Sequence, residues 1–140
     1  MKNDIIQGLY LVTDRDLCGG RALTEVVLAA VRGGARCVQL REKALSTRAF
    51  VEEALAVRDL LAPLRVPLII NDRLDVALAV GADGVHIGQD DMPYALARRL
   101  LDRLPNGRGA RWVGLLDAVL RGLDALRYPS VVIRLILWSL

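Results

Sequence analysis

The feature that most restricts the fold is a regular alternation, in which apolar runs of strand length are separated by longer stretches with helical periodicity. Residues 9–13 (LYLVT) read as a first strand, followed by a helical pattern over 22–31 that ends at Gly33 and Gly34. Residues 36–40 read as a second strand. Ser46 is a good N-cap for a helix in which Phe50, Ala54, Val57 and Leu61 recur at helical spacing until Pro63. Residues 68–70 read as a third strand, 74–80 as a short helix stopped by Gly81, and 84–87 as a fourth strand; Pro93 then starts a fourth helix that runs to about Arg103. Strands that are apolar on both faces and separated by helices imply β-α units around a parallel sheet covered on both sides, which excludes β-sandwiches and helical bundles. The choice left is between a doubly wound sheet and a β/α barrel. A complete eight-unit barrel takes roughly 200 to 250 residues, so 140 residues leave room for about half of one. The first strand runs into VTDRDLCGG where a dinucleotide-binding sheet would carry GxGxxG, so that fold loses its main support.

Composition narrows the function classes. With 54% hydrophobic and 25% charged residues the chain has the make-up of one folded domain and not of a disordered tail. The 19 Lys and Arg are interspersed with 16 Asp and Glu, without the basic stripe that follows nucleic-acid phosphates, so nucleic acid is not expected as a partner. No apolar run reaches the roughly 18 residues of a membrane span, and MKNDIIQG has no apolar signal region, so the expectation is a cytoplasmic protein with no membrane partner. Cys18 and Cys37, without a CxxC or histidine neighbours, make neither a disulfide nor a zinc site; Cys37, inside ARCVQL, reads as a small buried hydrophobe. Lys2 and Lys43 are the only lysines, which singles out Lys43.

In β/α proteins ligands bind beyond the carboxyl ends of the strands. Here strand one ends at Asp14-Arg15, strand two at Gln39-Leu40-Arg41-Glu42-Lys43, strand three at Asn71-Asp72-Arg73 and strand four at Gly88-Gln89-Asp90-Asp91. Alternation along strand two puts Cys37, Gln39 and Arg41 on one face and Val38 and Leu40 on the other, so Gln39 and Arg41 should face the barrel interior. Two cations, Arg41 and Lys43, with two carboxylates from neighbouring strand ends, Asp72 and Asp91, are the parts needed to hold a diphosphate and its Mg²⁺. The ion takes hard oxygen ligands, usually one or two protein carboxylates and several waters, while Arg and Lys neutralise the phosphate oxygens. Taken singly, each of these residues is equally well a solvated loop charge in a surface ion pair; their joint appearance at the strand ends favours the site. His86 shares its face with Gly84 and Gly88 and could touch a substrate ring, although a lone strand histidine is more often an interior group with its hydrogen bonds satisfied.

LYLVTDR, GGA followed by VQLREK, and PLIINDRLDVALAVGADGVHIGQDDMP together resemble the thiamine phosphate synthase (thiamine-phosphate pyrophosphorylase) family over about residues 8–101. The resemblance implies a partial (β/α)₈ TIM barrel of about four β-α units plus a divergent C-terminal tail. It implies a transferase of thiamine biosynthesis that condenses hydroxymethylpyrimidine diphosphate with thiazole phosphate, giving thiamine phosphate and diphosphate. Gln39, Arg41, Lys43 and Asn71 would bind the pyrimidine diphosphate, and Asp72 and Asp91 the Mg²⁺. The implied mechanism is dissociative: the diphosphate departs, a pyrimidine methyl cation forms, and the thiazole nitrogen attacks it, with no protein nucleophile. The related tautomerase branch has a similar barrel without the Gln-Asp-Asp element found at Gln89 to Asp91, which favours the synthase branch. A non-catalytic diphosphate-binding module and a tautomerase-like isomerase are the alternatives.

On this reading, residues 1–103 are the N-terminal part of the barrel domain and 104–140 a divergent tail. The tail contains no Lys, Thr, His, Glu or Gln, so it lacks the later Gly-x-Ser and Thr/Lys elements that the resemblance calls for. A two-base shift of reading frame through residues 111–116 can restore Val-Gly-Trp-Ser-Thr; a natural short paralogue is the other account. Half a barrel leaves strand edges unpaired, so a homo-oligomeric or aggregation-prone chain with weak turnover is expected.

Overall fold

The computed structural model describes residues 8–88 and 91–103. Four strands alternate with four helices: β1 Leu9–Val12, α1 Leu23–Arg32, β2 Ala35–Leu40, α2 Thr47–Leu61, β3 Leu68–Asn71, α3 Leu74–Val80, β4 Gly84–His86 and α4 Tyr94–Leu101. Each lies where the periodicity predicts it, within a residue or two. Two single 3₁₀ turns, Asp16–Cys18 and Ala62–Leu64, were not anticipated, since a turn this short has no period to read.

Local chemistry explains the boundaries. The Ser46 hydroxyl accepts a hydrogen bond from the Ala49 N–H at 3.3 Å, satisfying a donor that the first turn of α2 leaves over. At the end of α3, Gly81 adopts φ +65°, a left-handed conformation that closes the helix and is costly for residues bearing a Cβ. Pro93 takes the N-cap position of α4 rather than its first turn. Its missing N–H is not needed there.

The strands form one parallel sheet in the order β1-β2-β3-β4. Among the described strands this order never reverses, so these four have no switch point of the doubly wound kind and follow one another as in a barrel. Alternation assigns the two faces. Leu11, Val38, Leu40, Leu68, Ile70 and Val85 point outward into the main core, where they meet Val27 of α1, Phe50, Val57 and Leu61 of α2, Val76 and Val80 of α3, and Ala97 and Leu101 of α4. A fully buried side chain of this size contributes about 1.5–3 kcal/mol, and this layer supplies most of the cohesion. Tyr10, Cys37 and Ile69 form a smaller cluster on the opposite, inner face. Thr13, Gln39 and Asn71, the buried polar residues among those described, all lie at or next to the carboxyl ends of the strands. Cys18 and Cys37 are free and buried, and no described helix is long and apolar enough to cross a membrane.

Candidate active site

The end of β1 supports the end of β2. Thr13 donates its N–H to the Gln39 carbonyl (2.9 Å) and accepts the Arg41 N–H on its hydroxyl (3.0 Å). Asp14 divides its carboxylate, one oxygen taking the Asp16 N–H (3.0 Å) and the other a guanidinium N–H of Arg41 (3.3 Å). Gln39, on the inner face as alternation requires, is buried and donates its amide N–H to the Tyr10 hydroxyl at 2.7 Å. Burial, only partly offset by that bond, pushes the Tyr10 phenol up to about 12, so it stays protonated at physiological pH. Tyr10 and Gln39 thus form a polar floor beneath the strand ends.

The loop after β2 folds around the Glu42 carboxylate, which accepts the N–H groups of Lys43 (2.9 Å) and Ala44 (3.1 Å). This tight turn sends the Lys43 ammonium across to the Asp72 carboxylate, with which it forms a hydrogen-bonded ion pair.

Asp72 follows β3 at φ +64°, a left-handed conformation in which Asn and Asp are the best tolerated residues after glycine. Its N–H donates to the His86 carbonyl at 2.7 Å, carrying the β3–β4 pairing one step past Asn71 opposite His86. Burial pushes the Asp72 carboxyl up, but hydrogen bonding to Lys43 and with Asp91, together with the charges of Lys43 and His86, outweighs it and holds the group below the usual carboxylate value. The Asp91 carboxyl therefore stands within hydrogen-bond reach of Asp72. It also accepts the Gly88 N–H at 2.9 Å, and a Cβ at Gly88 would lie 2.8 Å from that oxygen, so a side chain there would push the Asp91 carboxylate aside.

The structure thus brings Lys43, Asp72 and Asp91 together, with Arg41 one strand over beside Asp14, and Gln39 and Asn71 below them. Two carboxyls this close repel unless a proton or a cation lies between them. Among the described residues no group of three or more His, Cys, Asp or Glu could cage an ion. Two oxygen donors at an open strand end suit Mg²⁺, which keeps several waters, and do not suit Zn²⁺. Nδ1 of His86 is buried without a hydrogen-bond partner among the described residues, on the inner face beside Asn71. Gln89 and Asp90 lie outside the described residues.

Sequence reasoning gave no role to the supporting groups Tyr10, Thr13, Glu42 and Glu53. Tyr10 was the most accessible, since strand alternation places it on the same face as its neighbour across the sheet. Glu53 lies mid-helix, and nothing in the local pattern connects it to a loop 38 residues earlier.

Comparison with known proteins bears on this arrangement. Residues 9–105 match the family profile of thiamine monophosphate synthase. The chain is 67% identical over 93 residues to thiamine-phosphate synthase of Albidiferax ferrireducens, covering 66% of this chain and 42% of that protein. It is 56% identical over 119 residues to the Chloroflexus aurantiacus thiamine-phosphate synthase, covering 84% and 55%. Among solved structures, thiamine phosphate pyrophosphorylase from Pyrococcus furiosus superposes with a TM-score of 0.65 at 37% identity, covering 73% of this chain and 48% of that one. The chain spans about half the length of the curated relatives it matches. Its four consecutive parallel β-α units are those of a partial (β/α)₈ barrel. From the profile match, the close relatives and the shared fold, it follows that the chain belongs to the thiamine monophosphate synthase family.

Proposed function

We propose that this chain carries the pyrimidine-diphosphate and Mg²⁺ half of a thiamine phosphate synthase site, with residues 1–103 as the N-terminal part of the barrel domain and 104–140 as a divergent tail. The observation that carries this reading is the convergence of the Lys43 ammonium with the carboxyls of Asp72 and Asp91 at the carboxyl end of the sheet. Asp72 and Asp91 would hold the Mg²⁺, which when bound supplies Lewis-acid stabilisation of a departing diphosphate. Arg41 and Lys43 neutralise the phosphate oxygens and keep the diphosphate at the strand ends. Gln39, fixed from below by Tyr10, and Asn71 orient the pyrimidine.

In the reaction the bond between the pyrimidine methylene carbon and the diphosphate oxygen breaks, that oxygen keeping the electron pair. A bond then forms from the thiazole phosphate nitrogen to the same carbon. The residues named here act by binding, orienting and neutralising charge, and none of them forms a covalent bond to substrate. Holding both reactants together is worth about 7 to 11 kcal/mol of barrier, an advantage forfeited by a chain that positions only one of them. The expected result is Mg²⁺-dependent binding of hydroxymethylpyrimidine diphosphate in calorimetric titration, and very weak thiamine phosphate formation when thiazole phosphate is added. Diphosphate binding that ignores Mg²⁺ would overturn the metal assignment. No binding at all would overturn the reading as a whole.

A further inference from the structure

Arg15 touches none of the residues assigned to substrate or metal, yet it sits at the junction that shapes them. Its Nε donates to Glu42 Oε2 at 2.8 Å and its Nη2 to Glu53 Oε1 at 2.5 Å. The Arg15 side chain is 43% exposed, whereas those of Glu42 and Glu53 are only 4% and 17% exposed. This is not an ordinary surface ion pair, because both anions have given up most of their water and one cation faces the two of them. The second oxygen of Glu53 is buried without a partner among the described residues, so Arg15 carries that carboxylate's contacts alone.

Glu42 leads from this junction to the site. Its Oε2 is spent on Arg15, while its Oε1 accepts the N–H groups of Lys43 and Ala44. The orientation of one carboxylate therefore sets the turn that carries Lys43 to Asp72. Without Arg15, Glu42 and Glu53 would face each other as like charges in a poorly hydrated pocket, and Glu42 would have to swing out or take up a proton. Either response withdraws the acceptor from the Lys43–Ala44 turn.

We propose that Arg15 is a positioning residue, holding Glu42 between α2 and the loop after β2 so that the Lys43 ammonium is delivered to the Asp72 carboxylate. This inference rests on the reading of Lys43 and Asp72 given above. Lysine at position 15 keeps the charge but not the rigid fork that reaches two carboxylates.

The test uses the 140-residue chain and its Arg15→Gln, Arg15→Lys and Arg58→Leu variants, with Mg²⁺ and inorganic diphosphate as the probe. Arg58→Leu is the control, since it removes a hydrogen bond from the C-terminal part of α2 to the Val80 carbonyl and not a contact of Arg15. Amide hydrogen exchange should accelerate at Lys43 and Ala44 in Arg15→Gln but stay slow at Arg41, whose N–H is held by Thr13. Diphosphate affinity should fall roughly tenfold, as expected for a group that orients a ligand from behind, with Arg15→Lys in between. Arg58→Leu should lower the melting temperature without changing affinity. Unchanged exchange at Lys43 and Ala44, or an affinity loss no larger than that of Arg58→Leu, overturns the proposal. Should Arg15→Gln fail to fold, Arg15→Lys decides by the same criteria. If the parent chain binds no magnesium diphosphate, the reading of the site fails, and the exchange data still decide whether Arg15 sets the turn.

Discussion

Replacing Asp72 by Asn separates the electrostatics of the site from its architecture. Asn has nearly the same size, and it tolerates the left-handed φ of +64° at this position. The substitution thus removes one negative charge and leaves the turn in place. Lys43 is 56% and Asp72 18% exposed at the side chain, and losing a pair with one well-hydrated partner costs about 0.2–1 kcal/mol of stability. Asp72→Ala would add left-handed backbone strain of about 1 kcal/mol or somewhat more. The effect on a divalent ion is larger. Unit charges 4 Å apart near a protein surface interact by about 4 kcal/mol, a divalent ion doubles this, and lost hydration takes back much of it, leaving on the order of 3 kcal/mol, or roughly 100-fold in Mg²⁺-dependent affinity. Calorimetric titration with magnesium diphosphate measures the second quantity and urea unfolding the first. Asp72→Asn binding within threefold of the parent, at unchanged stability, would refute Asp72 as a ligand. Equal stabilities of the Asn and Ala variants would refute the backbone argument.

Phe50→Ala removes a fully buried ring from the face of α2 that meets the sheet and should cost about 3–5 kcal/mol in urea unfolding. Burial pushes the Glu42 carboxyl up, but the N–H groups of Ala44 and Lys43 and the Arg15 guanidinium outweigh it, so the folded value lies below the ordinary 4.5. That contribution to stability is fully present above the ordinary value and is lost as pH falls through the folded one. Urea midpoints between pH 7 and pH 3 should therefore fall less steeply in Glu42→Gln than in the parent. The Cys37 thiol is fully buried and pushed up to about 12, chiefly by burial and further by the charge of Asp83. A disulfide reagent at pH 8 should leave it unmodified until urea unfolds the chain, and rapid labelling of the folded protein would contradict its placement.

Features that depend on near neighbours along the chain are legible in its residues alone. The four strands and four helices follow from period-2 and period-3.6 patterning, Ser46 and Gly81 mark helix ends through their own local chemistry, and polar residues gather where the strands end. The family resemblance adds the roles proposed above for Gln39, Arg41, Lys43, Asn71, Asp72 and Asp91. The tertiary structure alone decided which of these residues meet. Lys43 pairs with Asp72 across 29 residues and Arg15 with Glu53 across 38, distances over which no local pattern carries information. It also decided that Asp72 bends into the left-handed region, that Gln39 rests on Tyr10, and that Glu42 turns the loop beneath Lys43. Local propensity acts through the backbone of a few consecutive residues, whereas the relative positions of charges on different strand ends exist only once sheet order and register have set the distances between them.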